Sequence, residues 1–222
     1  APARPPAHAA MGSAFGLCAP RLPHIGDRDP AAVAAALSTL DRVYEGRAHQ
    51  WTFDMGDFRK ARQESLQLFG NENAGVYGEI MPESAAWMLY NACACQGQRF
   101  YDLGSGTGKV VILAKLLGLE ATGVELFEER WRASRAALGR LQELTGDSEG
   151  ASFLNKNVLD VDFSDADIAF TTDIMWPAEL RAGVYSIAQR MRPGSLFIAN
   201  KEVEAPGFAL ASELVVRASW DP

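Results

Sequence analysis

The octapeptide Tyr101-Asp102-Leu103-Gly104-Ser105-Gly106-Thr107-Gly108 constrains this chain more than any other feature. It ends the apolar run RFYDL and precedes a helical pattern over Lys109–Leu117, so it must turn a strand into a helix within a few residues. Glycines at alternate positions permit that turn and let a ligand approach without Cβ clashes. The helix N-terminus adds donors and partial positive charge suited to a carboxylate, and Asp102 can take an ammonium group. A dinucleotide site would call for G-x-G-x-x-G to admit a pyrophosphate. The spacing here is G-x-G-x-G behind an acid, which fits S-adenosylmethionine better. The plainer alternative is a tight strand–helix turn with Asp102 as a local cap.

Further residues fall where such a ligand would need them. Glu125 ends the strand pattern TGVEL seventeen residues past Gly108, where a carboxylate can accept both ribose hydroxyls. Asn157, after the short strand pattern at Phe153, is placed to meet the adenine amine, with Asp160 as an alternative polar contact. Val158, Phe127 and Leu126 would line the ring. Gly104, Ser105, Gly106, Gly108 and Lys109 complete the expected cofactor set. Singly, each is more often a cap or a solvated side chain. At successive strand ends they mark the switch point of an open α/β sheet, where ligands bind.

The remaining pattern supplies that sheet. Helices are predicted from Asp29-Pro30 to Gly46, from Asp57 to Phe69 and from Pro82 to about Ala94, with a Gly/Asn-rich loop over Asn71–Glu79. From Arg99 onward short apolar strands alternate with helices: Ala121–Val124, Phe127–Leu144, DIAFTT, Pro177–Met191, SLFIAN and an extended Glu213–Ser219. That alternation predicts an α/β fold with a mainly parallel sheet between helical layers. Residues 1–25, Pro/Ala-rich at the start, read as a disordered leader, 26–75 as an N-terminal helical segment and 76–222 as the cofactor-binding catalytic domain.

Composition excludes several classes. The longest apolar run, Val110 to Leu119, is broken by Lys115 and falls short of a membrane span. Three cysteines and three histidines, scattered or too closely spaced, predict neither a disulfide framework nor a metal site. Residues 1–75 carry eight basic and eight acidic side chains; residues 76–222 carry thirteen and twenty, the whole net charge of −7. An acidic catalytic half is not expected to bind DNA strongly by neutralising phosphates.

A narrower resemblance then emerges. Val76-Tyr77-Gly78-Glu79, a helix, and Asp102-Leu103-Gly104-Ser105-Gly106 resemble the non-SET histone H3 core-lysine methyltransferases, the disruptor-of-telomeric-silencing (Dot-one) family. The K-x-x-x-A-P-x-F spacing from Lys201 to Phe208 and the late Ala218-Ser219-Trp220 are similar to it as well. The resemblance covers about residues 70–220. It implies a class I (Rossmann-like) methyltransferase with a seven-stranded sheet in an αβα sandwich, using S-adenosylmethionine and releasing S-adenosylhomocysteine. It also implies that Tyr77, Gly78 and Glu79 close over the cofactor, and that Tyr77, Thr172, Trp176 and Trp220 line the acceptor site. The chain departs from the family where Thr172-Asp173 replaces an amide-bearing pair, where Lys109 stands for glutamine, and where Asn157 stands for an acid. Asp173 is expected to point away from the methyl path and cap the helix after Pro177. The implied activity is protein-lysine N-methylation, of histone H3 in the nucleosome core and hence nuclear. The alternatives are a methyltransferase of another protein or a small molecule, then cytoplasmic, or a cofactor-binding regulatory module without turnover.

Overall fold

A computed structural model describes residues 8–12, 30–50 and 58–219. Strand β1 (His8–Gly12) is followed by helices α1 (Pro30–Val43), α2 (Phe58–Phe69) and α3 (Pro82–Asn91). The alternating part then runs β2 (Arg99–Leu103), α4 (Lys109–Leu116), β3 (Glu120–Glu125), α5 (Glu128–Thr145), β4 (Ala151–Asn155), β5 (Ile168–Thr171), α6 (Ala178–Ala188), β6 (Leu196–Ala199) and β7 (Leu210–Val215). Single 3-10 turns occupy Glu72–Gly75 and Val158–Asp160, neither of them anticipated from the sequence.

The parallel part of the sheet has five strands in the order β4-β3-β2-β5-β6. Successive connections step outward from β2 to β4, then return to the other side of β2. The chain therefore reverses its direction of winding between β2 and β5, and the carboxyl ends of these strands open a crevice there. Beyond β6, β1 and β7 add antiparallel to the edge. The leader expected over 1–25 thus includes β1, and its other residues lie outside the described ones.

Period-two burial on the strands sorts the two helical layers. Ile168, Phe170 and Ile198 join the core formed with α1, α3, α4 and α5, whereas Ala169, Phe197 and Ala199 pack with α6 on the other face. Helix α4 is buried from Lys109 to Ala114 because it lies against the sheet beneath α1, α3 and α5. Helix α1 sends Leu40, Val43 and Tyr44 into this same core, so it packs on the sheet domain directly. Pro82 begins α3 at a position where its missing N–H costs no helical bond. Gly146, left-handed at φ 74, ends α5 and returns its amide to the Gln142 carbonyl at 2.8 Å.

Candidate functional site

The glycine turn between β2 and α4 is fully braced. The amides of Gly104 and Ser105 donate to the Val124 carbonyl at 2.8 and 2.9 Å, and Gly108 donates to the Ser105 carbonyl at 2.9 Å. Gly106 donates to Glu125 Oε2 at 2.8 Å, and Thr107 donates to the Tyr77 hydroxyl at 3.2 Å. The five amides from Gly104 to Gly108 therefore already have internal acceptors. The glycines are needed for space as well as for φ. A Cβ on Gly106 (φ +55) would stand 2.3 Å from the Tyr77 ring, and one on Gly108 (φ +88) 2.5 Å from Phe153. The loop bearing Tyr77 is thus laid directly on the glycine turn.

Three acids surround that turn, Glu125 and Asp102 buried and Glu79 partly buried. Glu125 spans it, its Oε1 accepting from Phe127 N at 2.8 Å while Oε2 accepts from Gly106. Each oxygen keeps a second lone pair toward the crevice, so the expected ribose contact would be added to these bonds. Burial raises the Glu125 pKa, and the Arg130 charge opposes the rise. Glu79 binds Lys109 Nζ at 2.5 Å, Thr107 Oγ1 at 3.0 Å, and the Tyr77 hydroxyl. Burial pushes its pKa up too, against the pull of Lys109. Asp102 differs from both: it is 4 % exposed, and among the described residues no hydrogen bond reaches its carboxylate. Burial first, then the charges of Glu125 and Glu79, raise its pKa to about 8.

Lys109 is not beside the ligand space. Its ammonium sits 5.6 Å over the Tyr44 ring and bonds the Gln50 carbonyl as well as Glu79. A longer cationic side chain reaches past the turn to the acid behind it, where a glutamine would stop short.

Next to the turn, at the switch point, lies a cavity of ≈ 330 Å³. Gly104, Glu125, Leu126, Phe127, Asn157 and Val158 belong to its wall. Tyr77, Gly78, Val76, Thr172, Ile174, Met175 and Trp176 line it as well. Asn157 spends its Oδ1 on Leu159 N at 3.0 Å, capping the short turn that follows, which leaves the amide nitrogen for a ring acceptor. The second lone pair of Oδ1 stays available for the expected contact with the adenine amine. Trp176 lies over the glycine turn, its ring 3.3 Å from where a Gly104 Cβ would stand. Ser105, Gly106, Gly108, Asp102 and Glu79 lie behind the wall and shape it without lining it.

Asp173 points away from the cavity, but not to cap α6. Pro177 holds the cap position without a side-chain bond. The buried Asp173 carboxylate instead accepts from Tyr185 Oη at 2.7 Å and from the Asn200 and Lys201 amides at 3.0 and 3.1 Å. It ties the loop after β5 to the loop after β6. A carboxylate, accepting on both oxygens, suits three donors better than an amide would.

Other contributors were given no site role from the sequence. Ser219 brackets Glu79, its Oγ accepting from Glu79 N at 3.0 Å and its amide donating to Glu79 O at 2.8 Å. This fixes one side of the loop; Trp220, which follows, lies outside the described residues. Tyr44 donates to the Thr107 carbonyl at 2.7 Å and so supports the glycine turn from α1. Arg130, in the first turn of α5, is a cation among the cavity-lining residues and was not singled out in the sequence.

A family model described as "Histone methylation protein DOT1" matches residues 59–217. Among similar proteins is one from Aspergillus fumigatus named "Histone-lysine N-methyltransferase, H3 lysine-79 specific". It is 27 % identical over 167 residues, covering 68 % of this chain and 32 % of its own length. A Candida albicans protein of the same name is 26 % identical over 172 residues, covering 72 % of this chain and 12 % of its own. This chain therefore spans a third or less of these relatives. Among solved structures, the glycopeptide N-methyltransferase MtfA with bound S-adenosylmethionine shares 16 % identity at TM-score 0.44, over 52 % of this chain and 51 % of that one. The magnesium protoporphyrin IX methyltransferase of Synechocystis shares 17 % at TM-score 0.41, over 71 % and 67 %.

Proposed function

Because this chain belongs to the family of DOT1 histone methylation proteins, we propose that it transfers a methyl group from S-adenosylmethionine to a lysine of histone H3. The observation that carries the cofactor half of this reading is Asp102. A buried carboxylate without a hydrogen-bond partner among the described residues, beside two other acids, is costly unless a cation joins it. Asp102 stands behind Gly104, which lines the cavity, so the ammonium end of the ligand would have to reach past that glycine to supply the cation. Glu125, already aligned by two backbone amides, takes the ribose, and Phe127, Leu126 and Val158 take the ring.

When bound, S-adenosylmethionine supplies a methyl group already activated on a sulfonium, so the chain's tasks are alignment, desolvation and a neutral nucleophile. Val76, Ile174, Met175 and Trp176 give the acceptor end of the cavity an apolar wall. Such a wall disfavours a lysine ammonium and favours the amine that can react. Trp176 and Tyr77 present aromatic faces able to stabilise a methylated ammonium. Thr172, where the family carries an amide, offers a hydroxyl that can accept the amine hydrogen. Trp220 is assigned to this channel through the family resemblance.

The acceptor named for the relatives, H3 lysine 79, is the first to test. Labelled S-adenosylmethionine is incubated with the protein and nucleosomes, free histones, naked DNA controls and a cell extract. Label on H3 supports the reading, and the protein then works in the nucleus. Label confined to a non-histone component overturns the histone part and favours a different acceptor, a reading to which Thr172 lends weight. Cofactor binding without transfer to any component would leave a regulatory module. The net acidic catalytic half predicts weak binding to the naked DNA control.

A further inference from the structure

Arg130 joins two parts of the cofactor site that are far apart in sequence. It is 4 % exposed, and its guanidinium lies 4.8 Å over the Tyr77 ring and 4.6 Å over the Phe127 ring. Its Nη2 also donates to the Gly75 carbonyl at 2.7 Å. Gly75 and Tyr77 belong to the segment that crosses the glycine turn, whereas Phe127 is the adenine wall. The crossing is tight, since a Cβ on Gly75 would meet Phe127 at 2.7 Å and Ser65 Oγ at 2.3 Å. A planar cation fits between two rings and a carbonyl where a third apolar group would leave that carbonyl without this donor.

We infer that Arg130 is a positioning residue for the cofactor, fixing the Gly75–Tyr77 segment against the Phe127 wall so that both sides of the cavity are held ready at once. This rests on the reading of the cavity as a cofactor site. Arg130 acts through Tyr77 and Phe127, and its loss loosens the segment before the ligand arrives. The ligand must then order that segment itself, which appears as weaker binding.

The test compares parent, Arg130→Met and Arg130→Lys by calorimetry with S-adenosylhomocysteine and by hydrogen exchange without ligand. Arg130→Met is expected to weaken binding about tenfold or more. Arg130→Lys, which keeps charge but loses the planar stack, is expected to fall between it and the parent. Exchange over 71–79 should speed up in both variants while that of 99–103, in the central strand, stays as in the parent. A purely structural role would raise exchange in both segments together. Affinity within about twofold of the parent, or equal acceleration in the two segments, overturns the inference. Should Arg130→Met fail to fold, Arg130→Lys carries the same comparison. Failure of the parent itself to bind would reject the cofactor reading, while the ligand-free exchange comparison would still decide whether Arg130 holds the segment.

Discussion

On the proposed reading, Asp102 should make cofactor binding depend on pH, and its surroundings set the size of the effect. Its pKa of about 8 in the free protein means it is largely protonated at neutral pH. A cationic ligand that needs the carboxylate must first remove that proton. Below pH 8 the ionised fraction falls about tenfold per pH unit, so affinity for S-adenosylhomocysteine should rise roughly thirtyfold between pH 6 and 7.5. Binding at pH 7 should release close to one proton, measurable by calorimetry in buffers of different ionisation enthalpy. Asp102→Asn should bind more weakly at pH 7.5 and lose this dependence; the ligand's own titration is common to both proteins and cancels. The same group acts on stability with the opposite sign. Its folded pKa lies above its unfolded value of about 3.9, so its contribution is fully present below pH 4 and is lost as pH rises through 8. The ligand-free Asp102→Asn protein should accordingly be more stable than the parent at pH 8, by an amount of order several kcal/mol, with little gain at pH 4. Equal pH dependence in parent and variant would refute the whole account.

Gly106→Ala forces a left-handed φ on a side chain and drives it into the Tyr77 ring, so a loss of about 2–4 kcal/mol in chemical denaturation is expected, with cofactor binding lost. Trp176→Ala should abolish methylation of a histone substrate while calorimetry shows cofactor binding largely retained; full histone activity would remove this channel from the mechanism. Asp173→Ala strands the Tyr185 hydroxyl and two amides and should cost about 3 kcal/mol in denaturation, whereas Asp173→Asn, which keeps an acceptor for the amides, should cost less than half of that.

Most of the parallel sheet was legible because each strand ends in a residue with its own signature. RFYDL, TGVEL and SLFIAN are apolar runs bounded by glycine, acid or amide, and the helices between them carry prolines or glycines at their ends. Strand β1 was not legible: HAAMG has too few β-branched or aromatic residues to stand out, and its order comes from two neighbours distant in sequence. The two 3-10 turns were missed for a related reason, since each is organised by one asparagine side chain bonding two residues ahead.

The site shows the same division between what is local and what is paired. Glycine spacing and the acid at the end of β3 are local, and they led to the cavity. The partners of Lys109, Asp173 and Ser219 are set by tertiary packing, and spacing along the chain carries no trace of them. Asp173 is the instructive case. Read along the chain, an acid four residues before Pro177 is a helix cap. In the fold, the loop after β6 brings the amides of Asn200 and Lys201 within 3.1 Å, and the carboxylate turns to them. The change from amide to acid therefore acts on how the loops after β5 and β6 are joined, not on charge in the methyl path. On the proposed reading, acceptor choice would then fall to Thr172 and to the apolar wall of Val76, Met175 and Trp176. A chain that differs from its relatives at Asp173 can keep lysine chemistry, provided the cavity stays free of that charge.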